Sequence, residues 1–367
     1  MHGARAPCQR LAAGRRKPCA PSFQDGRAER RGRRSLRRKR RGLPVDARRG
    51  GRDGQGGPPG PWPPARIGPG AAPGPWPGSG VVRPREAGRT PATFAVLGDP
   101  VGHSLSPVIH NAAFRAAGRR AVYVARRVGP EECGPMLRSL ALGGGGGNVT
   151  VPHKETVLPF LDRRTGAVTA TEACNTFWAK DGVVWGDNTD VEGFRRTWTG
   201  LVAGLEGPLE VLLLGAGGAA RAVIHALLGE PEVSRIRVWN RTAERALALV
   251  RHFGDDRLSH AAEYRGTAPD VLVNATSAGL DGVGMALDPE MLAAPPLRVV
   301  DLVYGKRPTP LCRYAAGIAV PAVDGRGMLL GQAEASYARW FGEPPPAGAM
   351  ARALEDEGRV PVTEPSP

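Results

Sequence analysis

The chain is poor in several things, and each shortage removes a class of function. Five of its 367 residues are cysteine, and beyond residue 90 only Cys133, Cys174 and Cys312 remain, widely spaced and without a CxxC pair. That excludes a disulfide framework and a thiolate zinc site, so no metal is expected, and it suits a reducing cytoplasm. No apolar stretch approaches the ~18 residues that would mark a membrane span. Acidic residues are scarce at the start, where residues 1–90 hold 5 Asp+Glu against 22 Lys+Arg. Methionine is absent between Met1 and Met136.

The first 90 residues also hold 17 Gly, 14 Pro and arginine runs such as Arg37-Arg38-Lys39-Arg40-Arg41. Such a segment cannot bury enough apolar surface to offset its chain entropy. It has no apolar h-region of a secretory signal and, with three Ser, too few for a transit peptide. We read residues 1–92 as a basic Gly/Pro/Arg-rich arm, open to two interpretations. It is a disordered tail, or it is sequence upstream of the true start, which would then use a non-Met codon near Val81 or Val82; the second is favoured. The chain's formal charge of +15 resides there, because residues 91–367 hold 28 Lys+Arg and 30 Asp+Glu. A nucleic-acid-binding function would rest on the arm alone, since the body carries no polyanion signature.

After Pro91 the pattern turns globular. Phe94–Leu97 reads as a buried strand, and Ser106-Pro107 opens a helix to about Ala117, with Ser106 as N-cap. A strand at Ala121–Ala125, a helix at Pro130–Leu142 and a strand at Asn148–Val151 follow, which predicts a mostly parallel sheet. A second unit begins with the apolar strand Val211–Leu214 and an Ala/Leu-rich helix ending at Leu228. Strand and helix repeat at Arg235–Trp239 and Thr242–His252, with further strands at Val271–Val273 and Val299–Asp301. This is the rhythm of a doubly wound nucleotide-binding unit. Helices at Met328–Phe341 and near Ala347–Glu355 are expected to pack back on the first unit.

Gly215-x-Gly217-x-x-Ala220 fits the dinucleotide fingerprint. Its first Gly permits the tight turn, and its second lets backbone N–H groups approach a pyrophosphate at the helix N-terminus. A glycine-rich turn alone is weak evidence; here it follows an apolar strand and opens a helix. The next strand ends in Trp239-Asn240-Arg241-Thr242 instead of the Asp or Glu that would bind a ribose 2′-hydroxyl. Arg241 and Arg245 lie four apart at a helix start and can address one 2′-phosphate, which predicts NADP.

Ser104-x-Ser106, Asn148-x-Thr150, Lys154, Asn175-Thr176 and Asn188-Thr189-Asp190 sit at turns after short strands. There, polar side chains can converge on a polyhydroxylated ligand. Taken singly, serines near a helix start are ordinary caps and Lys154-Glu155 an ordinary solvated turn. A Lys beside a carboxylate can supply a proton and electrostatic stabilisation to an alkoxide.

These motifs, with Gly98–Pro107, Asn148–Glu155, Gly186–Asp190, Asn240-Arg241-Thr242, Asn274–Ser277 and Asp324-Gly325-x-Gly327-Met328-Leu329, resemble the shikimate dehydrogenase family in their order across residues 93–342. The resemblance implies a two-domain α/β fold with a cleft between the domains. Residues 93–194, completed by C-terminal helices at 327–357, would form a substrate-binding domain, and residues 195–326 a Rossmann-like NADP-binding domain. It implies NADPH-dependent reduction of 3-dehydroshikimate to shikimate, with Lys154 and Asp190 as the catalytic pair, both touching substrate. Ser104 and Ser106 would bind the substrate carboxylate, with Tyr304 close by and Asn148 flanking the ring. Thr150, Asn175, Asp190 and Gln332 would hold hydroxyls. Gly215, Ala216, Gly217, Gly218, Ala219, Asn240, Arg241, Thr242, Arg245, Thr276 and Ser277 would hold NADP, with Gly327 and Met328 near the nicotinamide.

The partners implied are the small-molecule substrate and, for assembly, a second copy of the chain. A quinate or quinate/shikimate dehydrogenase shares the fold but often prefers NAD and has Thr at the second position of the Ser-x-Ser pair, so Ser106 and Arg241 favour shikimate. A catalytically silent regulator on this fold is disfavoured by the intact Lys154/Asp190 pair. Two departures from the family stand out: His153 where an apolar or aromatic residue is common, and Gly147 where Ala or Cys is usual.

Deleting residues 1–85 is expected to leave kinetics and melting temperature unchanged, because nothing in that segment can pack. Intact-mass analysis of the native protein tests the start site; Met1 on the mature chain would defeat the late-start interpretation.

Overall fold

A computed structural model describes residues 91–359. The arm therefore lies outside the described residues, apart from its last two positions. Ala92 already pairs with Ala121 as the first residue of a strand, so the arm's boundary moves back to Pro91.

The first part of the chain runs β1 (Ala92–Gly98), α1 (Ser106–Ala116), β2 (Ala121–Arg127), α2 (Pro130–Leu142) and β3 (Gly146–Val149). It continues with β4 (Arg163–Arg164), α3 (Gly166–Thr171), β5 (Thr176–Lys180), β6 (Val183–Asp187) and α4 (Asp190–Val202). These strands form one sheet in the order β2-β1-β3-β5-β6-β4. Its pairings are parallel at β2-β1, β1-β3 and β6-β4, and antiparallel at β3-β5 and β5-β6. The antiparallel hairpin was not expected. It turns on Asp181-Gly182, both at positive φ (53° and 77°), the conformation that closes a two-residue hairpin with the strands' own twist.

The second part runs β7 (Leu209–Leu214), α5 (Gly218–Leu228), β8 (Val233–Trp239), α6 (Ala243–Phe253), β9 (Leu258–His260), β10 (Val271–Asn274), β11 (Arg298–Asp301), α7 (Pro310–Gly317) and β12 (Ala322–Val323). Its sheet is parallel throughout, in the order β12-β11-β10-β7-β8-β9. Burial on both faces explains the apolar run in β7. Val211 and Leu213 face one core with Val223, Ile224 and Leu227 of α5, while Leu212 and Leu214 face another with Leu311 and Ala315 of α7.

Two helices complete the chain, α8 (Arg326–Phe341) and α9 (Ala349–Arg359). As expected they return to the first sheet, where Leu329, Tyr337, Trp340 and Met350 join Phe94, Ile109 and Phe114 in one core. On its other side α8 crosses α4 at glycine. A Cβ on Gly193 would lie 2.6 Å from the Met328 carbonyl oxygen, and one on Gly331 would lie 2.9 Å from the Gly193 Cα. The expected domain division at 194/195 falls inside α4, the helix that packs on both α8 and α5.

In each sheet the chain order reverses beside the first strand, between β1 and β3 and between β7 and β10. In open α/β sheets, ligands bind in the crevice that such a reversal leaves at the carboxyl ends of the strands.

His110 of α1 is fully buried, its ring stacked 4.5 Å from Tyr123 and tilted against Trp340 at 4.9 Å, and neither ring nitrogen has a hydrogen-bond partner. Burial pushes its pKa down from 6.5 to about 3. Between those values the unfolded chain takes up a proton that the fold refuses, so this contribution to stability is lost as pH falls from 6.5 toward 3. His110→Phe should flatten that dependence by up to ~1.4 kcal/mol per pH unit. Denaturant midpoints of both proteins between pH 6.5 and pH 4 provide the check, and parallel slopes would refute it.

Candidate active site

A cleft of about 720 Å³ opens at the carboxyl ends of β1, β3, β7, β8, β10 and β11 and takes in the first turns of α8. From the first sheet it is lined by Ser104, Ser106, Asn148, Thr150, Lys154, Asn175 and Asp190. Gly215, Ala216, Gly217 and Ala219 line it from the turn after β7, and Asn240, Arg241, Thr242 and Arg245 from the end of β8. Thr276, Ser277, Tyr304, Met328 and Gln332 complete the set. Of the residues given a site role by the family resemblance, Gly218 and Gly327 alone do not line the cleft. Each is a place of close approach: a Cβ on Gly218 would sit 3.0 Å from the Lys154 Cβ, and one on Gly327 would sit 3.1 Å from the Thr197 hydroxyl of α4.

The Lys154 ammonium is ion-paired with Asp190 Oδ2, and both side chains are nearly buried (12% and 7% exposed). Three features steady Asp190. It is the first residue of α4, where the helix dipole favours a negative charge. Its Oδ1 accepts from Asn175 Nδ2 at 2.9 Å. Asn175 is held in turn by the Thr189 N–H, which donates to Asn175 Oδ1 at 2.7 Å. Lys154 is supported along its stem by the start of α5, so the glycine-rich turn and the ion pair meet at Gly218.

The end of the cleft near β1 is polar without being charged. The Ser106 N–H donates to the Ser104 hydroxyl at 3.3 Å. Burial raises the Tyr304 phenol above its ordinary pKa, and contacts with the Leu105 backbone and the Ser104 hydroxyl oppose that shift. Tyr304 therefore stays a neutral donor. Ser106 is not the helix cap expected of it. Leu105 occupies the N-cap position and Ser106 lies inside the helix, so its hydroxyl is not spent on capping.

At the opposite end Gly215 adopts φ +107°, open to Gly and disfavoured for residues with a Cβ, and α5 starts directly behind it with no side-chain cap. A Cβ on Gly217 would meet nothing within 4 Å, and Gly217 lines the cleft where the turn enters α5. Beneath the turn after β10, buried Asn274 accepts from the Thr276 N–H and hydroxyl at 3.0 and 2.7 Å and donates to Asp301 at 2.8 Å. Arg241 and Arg245 are exposed at the cleft, and neither has a carboxylate partner among the described residues. An N-terminal helix turn with free N–H groups beside two unpaired guanidiniums fits a dinucleotide carrying an extra phosphate.

Both departures noted in the sequence acquire a place. His153 is buried, with its Nε2 2.9 Å from the Val128 carbonyl oxygen. At Gly147 a Cβ would stand 2.0 Å from the Ala95 carbonyl oxygen of β1, so the strand path leaves no room for the Ala or Cys of relatives. Tyr123, Thr176, Thr189 and Ser336, which brace the asparagines from behind, were not among the expected site residues. Thr176 and Thr189 stand inside motifs already singled out; Tyr123 and Ser336 read only as strand and helix positions.

Comparison with known proteins points to one family. The model of the shikimate dehydrogenase substrate-binding domain matches residues 96–177, that of shikimate/quinate 5-dehydrogenase residues 206–302, and that of the shikimate 5′-dehydrogenase C-terminal domain residues 325–355. The NADP(+) shikimate dehydrogenase of Alkalilimnicola ehrlichii is 43% identical over 269 residues, spanning 72% of this chain and 98% of its own. The chain belongs to the shikimate dehydrogenase family. Among solved structures, the family member from Aquifex aeolicus is 34% identical with a TM-score of 0.64, covering 72% of this chain and 98% of its own. The Thermus thermophilus member, solved with NADP(H) and shikimate, is 36% identical with a TM-score of 0.63, covering 72% and 99%.

The unpaired arginines carry a prediction for this family member. Each charge-assisted contact to a 2′-phosphate is worth roughly 1.5–3 kcal/mol, so two imply an NADP preference on the order of 10²–10⁴ in kcat/KM. Arg241→Ala with Arg245→Ala should erase most of it, raising KM for NADP while leaving NAD use almost unchanged. Equal use of both cofactors by the wild type would make these arginines plain surface charges.

Proposed function

We propose that the chain is an NADP-dependent shikimate dehydrogenase of aromatic amino-acid biosynthesis, reducing 3-dehydroshikimate reversibly to shikimate, with Lys154 and Asp190 as its acid/base pair. The observation that carries this reading is the Lys154–Asp190 ion pair, packed on the glycine-rich turn and open to the polar cleft. NADPH, when bound, supplies the hydride. Lys154 supplies the proton to the developing alkoxide and stabilises its charge until the proton is transferred. Asp190 keeps the ammonium oriented as substrate displaces water.

Ser104, Ser106 and Tyr304 offer hydroxyls to the substrate carboxylate. Thr150, Asn175 and Gln332 address the ring hydroxyls, and Asn148 flanks the ring. The turn Gly215–Ala219, with Asn240, Arg241, Thr242, Arg245, Thr276 and Ser277, takes NADP, and Met328 borders the nicotinamide. With these roles goes a division of labour in which residues 93–194 and 327–357 hold substrate and residues 195–326 hold the dinucleotide. Among the described residues no helix is long and apolar enough to cross a membrane. A cytoplasmic enzyme acting on small molecules, able to assemble as a homodimer, fits this reading.

A spectrophotometric assay of shikimate and quinate, each against NADP and NAD, tests the function directly, and shikimate with NADP should be the best pair by a wide margin. Lys154→Ala should lower kcat by ~10²–10⁴-fold, the usual worth of a positioned acid/base, with a much smaller change in shikimate binding. A variant retaining a tenth of wild-type turnover or more would remove Lys154 from the chemistry.

A further inference from the structure

Behind the cleft three fully buried hydroxyls close into a triangle. Ser336 Oγ lies 2.8 Å from Thr176 Oγ1 and 3.0 Å from Thr189 Oγ1, which are themselves 2.9 Å apart. Each hydroxyl has one proton to give. Two further acceptors stand within reach of those protons, the Gln332 backbone carbonyl 2.8 Å from Ser336 Oγ and Asn175 Oδ1 2.9 Å from Thr176 Oγ1.

Asn148 Nδ2 lies 2.9 Å from Thr176 Oγ1 and from Ser336 Oγ, and because an amide nitrogen can only donate, both hydroxyls accept there. Both amide protons of Asn148 are thus consumed by the protein. Its carbonyl oxygen accepts from the Tyr123 hydroxyl at 2.7 Å, and burial keeps that phenol protonated well above its ordinary range. One lone pair on Asn148 Oδ1 is all that this side chain has left for a ligand.

We propose that Tyr123, Thr176 and Ser336 are positioning residues that make Asn148 a pure acceptor toward the substrate and hold Asn175 against Asp190. This rests on the assignment of Asn148 and Asn175 as substrate contacts. At Asn148 the cleft then selects a ring hydroxyl, which can donate, and turns away a keto or carboxylate oxygen, which cannot. The substrate is oriented by hydrogen-bond polarity, because a reversed ring would set two acceptors face to face. Through Thr176 and Thr189 the same triangle fixes Asn175, and Asn175 fixes the carboxylate that pairs with Lys154.

The test compares Thr176→Val, which keeps the volume and removes the hydroxyl, with Thr176→Ser, which keeps the hydroxyl. Thr176→Val should raise KM for shikimate about tenfold, the worth of one hydrogen bond, and leave KM for NADP unchanged. Thr176→Ser should stay within about twofold of wild type, well under the 1.4 kcal/mol that a tenfold change represents. Equal KM values for shikimate in the two variants, or a parallel rise in both KM values, would overturn the proposal. If Thr176→Val does not fold by circular dichroism, Tyr123→Phe is judged by the same pair of KM values, and an unchanged KM for shikimate overturns it. A wild type inactive on shikimate would instead defeat the function itself, so the two failures are distinguishable.

Discussion

The structure depends on keeping two opposite charges out of bulk water and still usable. Moving a carboxylate or an ammonium into a protein interior costs several kcal/mol each, and a buried pair is stable only when its remaining lone pairs and protons are satisfied. Asp190 meets that condition through its own partners, and the Lys154 ammonium, paired with Asp190, faces the cleft. Asp190 takes a helix N-terminus from α4 and an amide from Asn175. Lys154 lies along the first residue of α5. In the proposed reading, acid/base chemistry and cofactor placement are consequently one constraint: the turn that would hold the dinucleotide also supports the stem of the proposed proton donor.

The same constraint explains why the chain must return to its first sheet. Helix α8 comes last but one in sequence, yet it contributes Met328, Gln332 and Ser336, four residues apart on one face, to the cleft and the hydroxyl triangle. It reaches them by crossing α4 at Gly193 and Gly331, where larger residues would meet backbone. Arg221 of α5 adds a further tie, donating to the Thr171 carbonyl at 3.2 Å and pairing with Glu172 and with Glu155, the neighbour of Lys154. His252 of α6 reaches the Ala170 carbonyl at 2.8 Å. The two sheets are thus fastened together close to the ion pair, whose geometry that junction supports.

Most of this architecture was legible in the sequence wherever period and punctuation agreed. The apolar run of β7 followed by Gly-Ala-Gly-Gly, the Ser-Pro start of α1 and the Pro-led α2 lie within two residues of their expected limits. The β5–β6 hairpin carried a signal that went unread, since Asp181-Gly182 between two β-rich segments is a strong short-range hairpin cue. Helix α4 was missed because it begins with the functional Asn188-Thr189-Asp190 run, whose polar residues resemble a loop. The cleft residues were recognisable as a set because ligand-facing groups sit at strand ends. Their supports were not: Tyr123 shares a β-strand's composition, and Ser336 is a small residue on a long helix. Nothing local distinguishes a hydroxyl that braces an asparagine from one that fills space; only the fold brings residues 123, 148, 176 and 336 together.

Charge is distributed in the cleft so that geometry, and not net attraction, selects what enters. The described body is nearly balanced in formal charge, and the β1 end meets its ligand with neutral Ser104, Ser106 and Tyr304 hydroxyls. Neutral donors bind a carboxylate less strongly than an arginine fork would, but they require correctly placed oxygens and release the product readily. The unpaired guanidiniums stand at the opposite end, beside the nucleotide turn, where a phosphate brings its own charge. A cation at the β1 end would draw the dinucleotide phosphates toward the wrong half of the cleft. Among the described residues that line the cleft, the only ammonium is that of Lys154, between the two ends. Its pairing with Asp190 would screen it from the anions at both ends until, in the proposed reaction, a carbonyl oxygen is close enough to share its proton.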